Sequence, residues 1–324
     1  MELRIVLPPT DRDVLIGLGD FWCHRGHVDA LVRLKKRSGV RLVQMVHDLF
    51  PVDRPEWTHP HYGPEFVRQL ARLVPHVDRW VVGSKFVSTS LRNYLLSFGR
   101  ETCPIDVLGM GGDSYIDEPP SINDDSAVLA KYKLGGHPYI LHVGTLEPRK
   151  NVIVLLDALA AVRQMYSLAT PICVLVGRDG WKSETLRLRL KNTDHEKGTV
   201  RWIQNVPDAD LAALYRGARF SVVPSLAEGW GLAVRESLAQ GIPCIAAATG
   251  GLPEASAGLA RYVELETPDE LRLALLDWIA DDHALQRARD RICARLRAGP
   301  LYPAWSTTSE QIVRIAREVV RRSR

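Results

Sequence analysis

Short apolar runs alternate with longer stretches of helical period along most of the chain. The runs RLVQMV (41–46), RWVVG (79–83), YILHVG (139–144), ICVLVG (172–177), RFSVVPS (219–225) and PCIAAA (243–248) are rich in apolar residues, as strands buried on both faces are. Between them, EFVRQLARLV, FVSTSLRNYLLSFG, VIVLLDALAAVRQ and ADLAALYRGA repeat apolar positions every three or four residues, as amphipathic helices do. This alternation predicts an α/β fold built of βαβ units, with parallel sheets covered by helices on both faces.

One segment breaks the pattern. DSYIDEPPSINDDSAVLA (113–130) is polar, carries two prolines and offers no strand, so it reads as an interdomain linker. The 324 residues suit two domains at roughly 100–200 residues each. The expected division is 1–120 and 121–300, with 301–324 as a loop and one basic helix packing back toward the first domain. Three strand candidates precede the linker, DVLIGL, RLVQMV and RWVVG, and IDVLG adds a fourth. That is small for a doubly wound domain of roughly 150 residues, so the first domain is expected to be reduced or truncated.

Two segments carry candidate chemistry. In YILHVGTLEPRKNVIVLLDAL a buried strand ends at Gly144, and a short loop with Glu147, Pro148, Arg149 and Lys150 leads to Asn151, a candidate N-cap for the next helix. Ligands of open α/β sheets bind at the carboxyl ends of strands, and two cations beside a helix N-terminus suit a diphosphate. An exposed basic loop that binds nothing fits this segment equally well. In SVVPSLAEGWGLAVRESLAQGIPCIAA a strand leads to Glu228, then Gly229-Trp230-Gly231-Leu232, then a helix of about nine residues ending before Gly241. The two glycines permit close backbone approach, and the helix N-terminus favours an anion. Glu236, about one turn into the helix, would repel phosphate but could accept two hydrogen bonds from a ribose diol. Glu228, on the loop, suits sugar hydroxyls. Acidic residues early in a helix are also common without any ligand.

The second segment resembles the Glu-x7-Glu motif EGFGLPxxEAxAxGxP of the family 4, or group 1, glycosyltransferases, whose fold is GT-B: two Rossmann-like domains facing a cleft. Trp230 stands where the family has Phe, Ala233 where it has Pro and Ser237 where it has Ala. VGTLEPRKN (143–151) resembles the family's phosphate-binding loop, VPDADLAALYRGARFSVVPS (206–225) the approach to the motif, and TGGLPEASAG (249–258) the segment after it. In the first domain MVHDLFPVDRPEW (45–57) resembles the family's loop containing His-Asp, and VDRWVVGSKFVSTSLRNYL (77–95) a later strand and helix with Ser84 at the strand end.

The resemblance implies a role for each matching residue. Arg149 and Lys150 would bind the donor diphosphate beside Gly144, Glu236 the ribose and Glu228 the donor sugar. The backbone of Gly229, Trp230, Gly231 and Leu232 would line the pocket, Arg178 and Val206 would lie near the base, and His47 would stand beside the reacting sugar. A strand-end histidine with a purely structural role fits His47 as well. The implied activity is that of a retaining, metal-independent hexosyltransferase with a nucleotide-diphosphate sugar as donor, GDP-mannose favoured. Its acceptor is expected to be a saccharide or lipid-linked saccharide of polysaccharide or envelope glycan synthesis. A truncated or inactive nucleotide-sugar-binding protein of the same fold is the alternative, motivated by the short first domain.

Composition narrows the field little. Apolar residues make up 46% and charged residues 25%, ordinary for a soluble domain. Five scattered cysteines without a CxxC pair point to a reducing compartment and away from a disulfide or zinc framework. A net charge of +4 does not indicate nucleic acid. Basic clusters at Arg33, Lys35, Lys36, Arg37 and Arg41 and at Arg314, Arg317, Arg321, Arg322 and Arg324 read as solvated helix faces or as contacts with an anionic membrane. With no apolar run long enough to span a bilayer and no signal-peptide core at the start, the expectation is a cytoplasmic protein that can lie on the inner face of the cell membrane. Asp208-Ala-Asp210 imitates a metal-binding DxD motif but precedes a helix, where Asp208 serves more simply as an N-cap. Cys23, His24 and His27 lack a second ligand pair, and no metal is expected.

Overall fold

The computed structural model describes residues 8–112, 122–166, 170–191, 198–265 and 268–321. The chain divides into two compact units, one of Met1–Gly111 with Ala304–Arg324 and one of Gly112–Pro303.

The first unit holds a parallel sheet of four strands in chain order, β1 (Val14–Gly17), β2 (Arg41–Val46), β3 (Arg79–Val82) and β4 (Ile105–Val107). Val14 lies opposite Arg41, Val43 opposite Arg79 and Trp80 opposite Ile105. The connections carry α1 (His27–Ser38), the short α2 (Phe50–Asp53), α3 (Tyr62–Leu73) and α4 (Lys85–Leu96). Right-handed crossovers between strands in sequential order place their helices on one face of the sheet. On that face Leu42, Val46, Trp80 and Val82 pack with Val28, Phe66, Leu70 and Leu91. Ser84 caps α4 by accepting a hydrogen bond from the Val87 N–H at 3.1 Å.

Alternate residues of a strand point to opposite faces, so Val43, Met45 and Val81 are left for the other side. The second unit follows in the chain, and this face is covered only when the chain returns. Its sheet is parallel throughout, with strands β5 (Tyr139–Val143), β6 (Ile172–Val176), β7 (Val200–Ile203), β8 (Phe220–Val223), β9 (Cys244–Ala247) and β10 (Arg261–Val263) in the order β10-β9-β8-β5-β6-β7. Its helices are α5 (Ile122–Lys131), α6 (Val152–Tyr166), α7 (Glu184–Arg189), α8 (Asp208–Gly217), α9 (Leu232–Ala239), α10 (Leu252–Ala255), α11 (Pro268–Ala280) and α12 (Asp282–Arg297). One core layer joins Ile140, Leu175, Phe220 and Val222 to Leu155, Leu159, Leu275 and Trp278. A second joins Leu141 and Val174 to Leu214, Tyr215 and Ile242. The last helix, α13 (Trp305–Arg321), belongs to the first unit and sets Ile315 and Val319 against Val43, Met45 and Val81. Arg79 pairs with Asp106 of β4 and, at 3.0 Å, with Glu318 of α13.

Three sequence expectations change. The 113–130 segment is not all linker: residues from Ile122 form α5, which lies on α8 through Arg216–Asp125 (2.8 Å) and Lys131–Asp210 (2.6 Å) ion-paired hydrogen bonds, while 113–121 fall outside the described residues. Asp208 is the first residue of α8 rather than its cap, which is Pro207. Asn151 closes a 3-10 turn over Pro148–Lys150 with φ 54°, not the extended backbone of an N-cap. Strands β7 and β10 did not stand out in the sequence because Arg201 breaks the apolar run of one and the other is three residues long.

If α13 is the cover of the bare sheet face, Ile315→Ala costs about 2–5 kcal/mol in urea unfolding of the full chain. A loss below about 0.5 kcal/mol, the scale of a surface change, would contradict that packing.

Candidate active site

The second sheet runs outward in both directions from the β5–β8 pair, where the order of strands reverses. At such a switch point the connections leave on opposite faces and a crevice opens beyond the carboxyl ends of the strands. Two loops occupy this crevice. One, 144–151, follows β5, and the other, 224–231, follows β8. A backbone hydrogen bond from the Leu226 N–H to the Arg149 carbonyl (2.8 Å) joins them directly.

Glu228 is the centre of the site. It is 8% exposed, and its carboxylate is held from three sides. Oε1 accepts hydrogen bonds from Lys150 Nζ at 2.6 Å and Ser225 Oγ at 2.7 Å, and Oε2 accepts one from Arg149 Nη1 at 2.7 Å. Burial works to raise this carboxyl, but Lys150 and Arg149 outweigh it and bring the pKa down to about 2. Arg149 Nη1 also donates to the Ala227 carbonyl at 2.8 Å, and its Nη2 donates to Glu147 Oε1 at 2.6 Å. Glu147 is 4% exposed, and burial pushes its carboxyl above the usual range against the pull of Arg149.

Beneath the loops lies His142, fully buried in β5. Its Nδ1 meets the Val222 carbonyl at 2.9 Å, which makes Nδ1 the protonated nitrogen of a neutral ring. Burial is the main cause that lowers its pKa to about 4. Nε2 has no hydrogen-bond partner and faces the space where a side chain on Gly144 would stand, beside the Lys150 methylenes.

Helix α9 begins at Leu232, after Gly231 with φ 114°, a conformation that favours glycine. Its first N–H groups lack intrahelical partners and carry partial positive charge. Glu236, one turn in, accepts from Tyr215 Oη at 3.0 Å. Ser237 fits inside because its Oγ lies 2.7 Å from Ser221 Oγ and donates to the Ile242 carbonyl at 3.0 Å. The Glu228 loop is backed by Gly250, at φ 58°, where a Cβ would stand 2.5 Å from the Glu228 carbonyl oxygen.

A family model for glycosyl transferases of group 1 matches residues 127–292, just over half of the chain. This chain belongs to the group 1 glycosyl transferases. Among curated relatives, the serotype-specific mannosyltransferase WbdA of Escherichia coli is 27% identical over 253 residues, 76% of this chain and 30% of the relative. The O-antigen chain mannosyltransferase B of Escherichia coli is 34% identical over 242 residues, 75% of this chain and 62% of the relative. The chain therefore spans less than two thirds of these proteins. The crystal structure of Anabaena Alr3699/HepE in complex with UDP and glucose superposes with a TM-score of 0.70 at 18% identity, over 94% of this chain and 77% of that one. The α/β fold is thus that of the GT-B glycosyltransferases.

Within this group 1 fold the sequence-predicted residues fall in several places. Gly144, Arg149, Lys150 and Glu228 come together on the two loops, and Gly229, Trp230, Gly231, Leu232 and Glu236 follow on the loop and α9. Trp230 is half-buried, and its indole Nε1, a donor that Phe lacks, is buried without a hydrogen-bond partner. Arg178 contributes backbone, its carbonyl accepting the Leu146 N–H at 2.9 Å, while its side chain is exposed. Val206 is half-buried against the Leu214–Tyr215 core. His47 belongs to the first unit, exposed just beyond β2, with Nε2 3.1 Å from the Leu18 carbonyl. It lines a recess of about 120 Å³ with Asp20, Trp22, Asp48 and Phe66. Sequence reasoning named Glu147 on the loop without giving it a role, and missed Ser225, His142 and Tyr215. Only Ser225, at the end of an apolar strand, left a signal.

The buried histidine sets an acid limit. Its folded pKa of about 4 lies below the ordinary 6.5, so between these values the unfolded chain takes up a proton that the folded chain does not. Stability therefore falls as pH drops from 6.5 toward 4, by about 3 kcal/mol in all. Glu228 acts lower, its contribution present above 4.5 and lost as pH falls toward 2. Urea midpoints measured from pH 7 to 4.5 should decline, and His142→Gln should flatten that decline; an equal slope in the variant would count against it. Gly250→Ala should cost about 2 kcal/mol or more through strain and overlap with Glu228. An unchanged midpoint would show that the loop yields freely.

Proposed function

We propose that the chain is a retaining, metal-independent hexosyltransferase that moves mannose from GDP-mannose to a saccharide or lipid-linked saccharide acceptor. The observation that carries the reading is Glu228, an ionised carboxylate fixed at the switch point between Lys150 and the start of α9. A carboxylate offers about four lone-pair sites, and three are used, so Oε2 keeps one for a sugar hydroxyl. Lys150 Nζ and the first N–H groups of α9 hold the diphosphate beside Gly144 and neutralise charge as it leaves. Glu236 takes the ribose hydroxyls, Trp230 walls the pocket, and Arg178 and Val206 lie toward the base. His47, which belongs to the first unit, keeps only the role at the reacting sugar that the family resemblance implies. The acceptor hydroxyl attacks from the face the nucleotide leaves, and a departing phosphate oxygen takes its proton, so configuration is retained.

Mannose is favoured by the names of the relatives WbdA and mannosyltransferase B. UDP and glucose occupy the Anabaena structure and make UDP-glucose the natural competitor. No helix among the described residues is long and apolar enough to cross a membrane. The exposed arginines 314, 317 and 321 of α13 favour a cytoplasmic protein that touches an anionic membrane face. A second reading, nucleotide-sugar binding without turnover, takes its motive from the first unit, whose sheet has four strands among the described residues.

Incubated with GDP-mannose, the full chain should release GDP faster than it releases UDP from UDP-glucose, and Glu228→Ala should slow release about a hundredfold or more. The sugar product should keep the α configuration by proton NMR before mutarotation. A β product would sink the retaining mechanism. Donor binding without GDP release, even with oligomannoside acceptors, would establish the second reading instead.

A further inference from the structure

Arg149 and Lys150 are adjacent cations on one loop, yet their surroundings divide their tasks. Lys150 shows one hydrogen bond, to Glu228, from an ammonium with three N–H donors. It keeps donors for a phosphate. The Arg149 guanidinium has both terminal nitrogens committed: Nη1 to Glu228 Oε2 (2.7 Å) and the Ala227 carbonyl (2.8 Å), Nη2 to Glu147 Oε1 (2.6 Å). Its backbone carbonyl holds Leu226 as well. Glu147 is the most deeply buried of the four charged side chains in this group and contacts the others through Arg149. A guanidinium swung toward a ligand would leave two buried carboxylates without their shared cation.

We infer that Glu147 and Arg149 form a brace that orients the sugar-facing oxygen of Glu228, and that Lys150 alone of the two cations binds the donor diphosphate. Glu147 fixes the guanidinium plane, and the plane fixes Oε2. Arg149 is then a positioning residue rather than a phosphate ligand. This inference rests on the donor-site reading proposed above and deepens it.

The test compares nucleotide affinity with turnover in the full chain. Calorimetry with GDP, UDP and ADP first identifies the diphosphate that wild type binds; binding of none would remove the donor-site reading and the inference with it. For the nucleotide that binds, Lys150→Ala should weaken affinity about thirtyfold. Arg149→Lys and Glu147→Gln should leave nucleotide affinity within about twofold while lowering kcat for donor cleavage about tenfold to a hundredfold. The two conservative variants keep the reading independent of Arg149→Ala, which strands two buried carboxylates and need not fold. A fall in nucleotide affinity on Arg149→Lys or Glu147→Gln as large as that of Lys150→Ala would make Arg149 a phosphate ligand and overturn the brace. Unchanged kcat in both would overturn it equally, while leaving the donor-site reading intact.

Discussion

The buried ion cluster on Glu228 is the contact on which the second unit's site depends. One carboxylate receives Lys150, Arg149 and Ser225, and thereby joins the loop after β5 to the loop after β8. A buried charge is costly unless paired, and losing one partner of a buried pair costs about 3–5 kcal/mol. The cluster offsets this by matching two cations to Glu228 and Glu147. Its geometry is therefore set before any ligand arrives, and preorganised charge of this kind needs no rearrangement as a transition state develops.

The fold supplies the place for this cluster. Two loops meet because β5 and β8 are neighbours across the reversal of strand order, although they lie about 80 residues apart in the chain. Glycines let the backbones close in. Gly177 packs on the Gly144 carbonyl, where a Cβ would come within 1.9 Å, and Gly250 packs on Glu228. Beneath them His142 bonds to the Val222 carbonyl and couples the two strands just before they end. In the first unit the same economy takes another form: four strands in sequential order leave one sheet face bare, and the last helix covers it.

Local periodicity made most of this legible. The strands β2, β3, β5, β6, β8 and β9 are apolar runs, and the helices α3, α4, α6 and α8 keep their apolar stripes. The motif around Glu228 and Glu236 was readable because glycine spacing across a strand-to-helix turn is rare by chance. Partners were not. Nothing local says that Ser225 turns back to Glu228, that Glu147 is buried, or that Tyr215 reaches Glu236, because each depends on which strands become neighbours. The polar composition around 122–131 hid α5, whose Asp125 and Lys131 pair with α8 rather than with water alone. Arg149 and Lys150 looked equivalent in sequence, and only their partners set them apart.

The most direct test of the Glu228 cluster as a preorganised donor site is a crystal structure of the full chain with a bound nucleotide-sugar donor or its nonhydrolysable analogue. The diphosphate should lie on Lys150 Nζ and the first N–H groups of α9, with a sugar hydroxyl on Glu228 Oε2 and Arg149 still bridging Glu147 and Glu228. A diphosphate seated away from the β5–β8 crevice, or Arg149 released from both carboxylates onto the phosphates, would contradict that role.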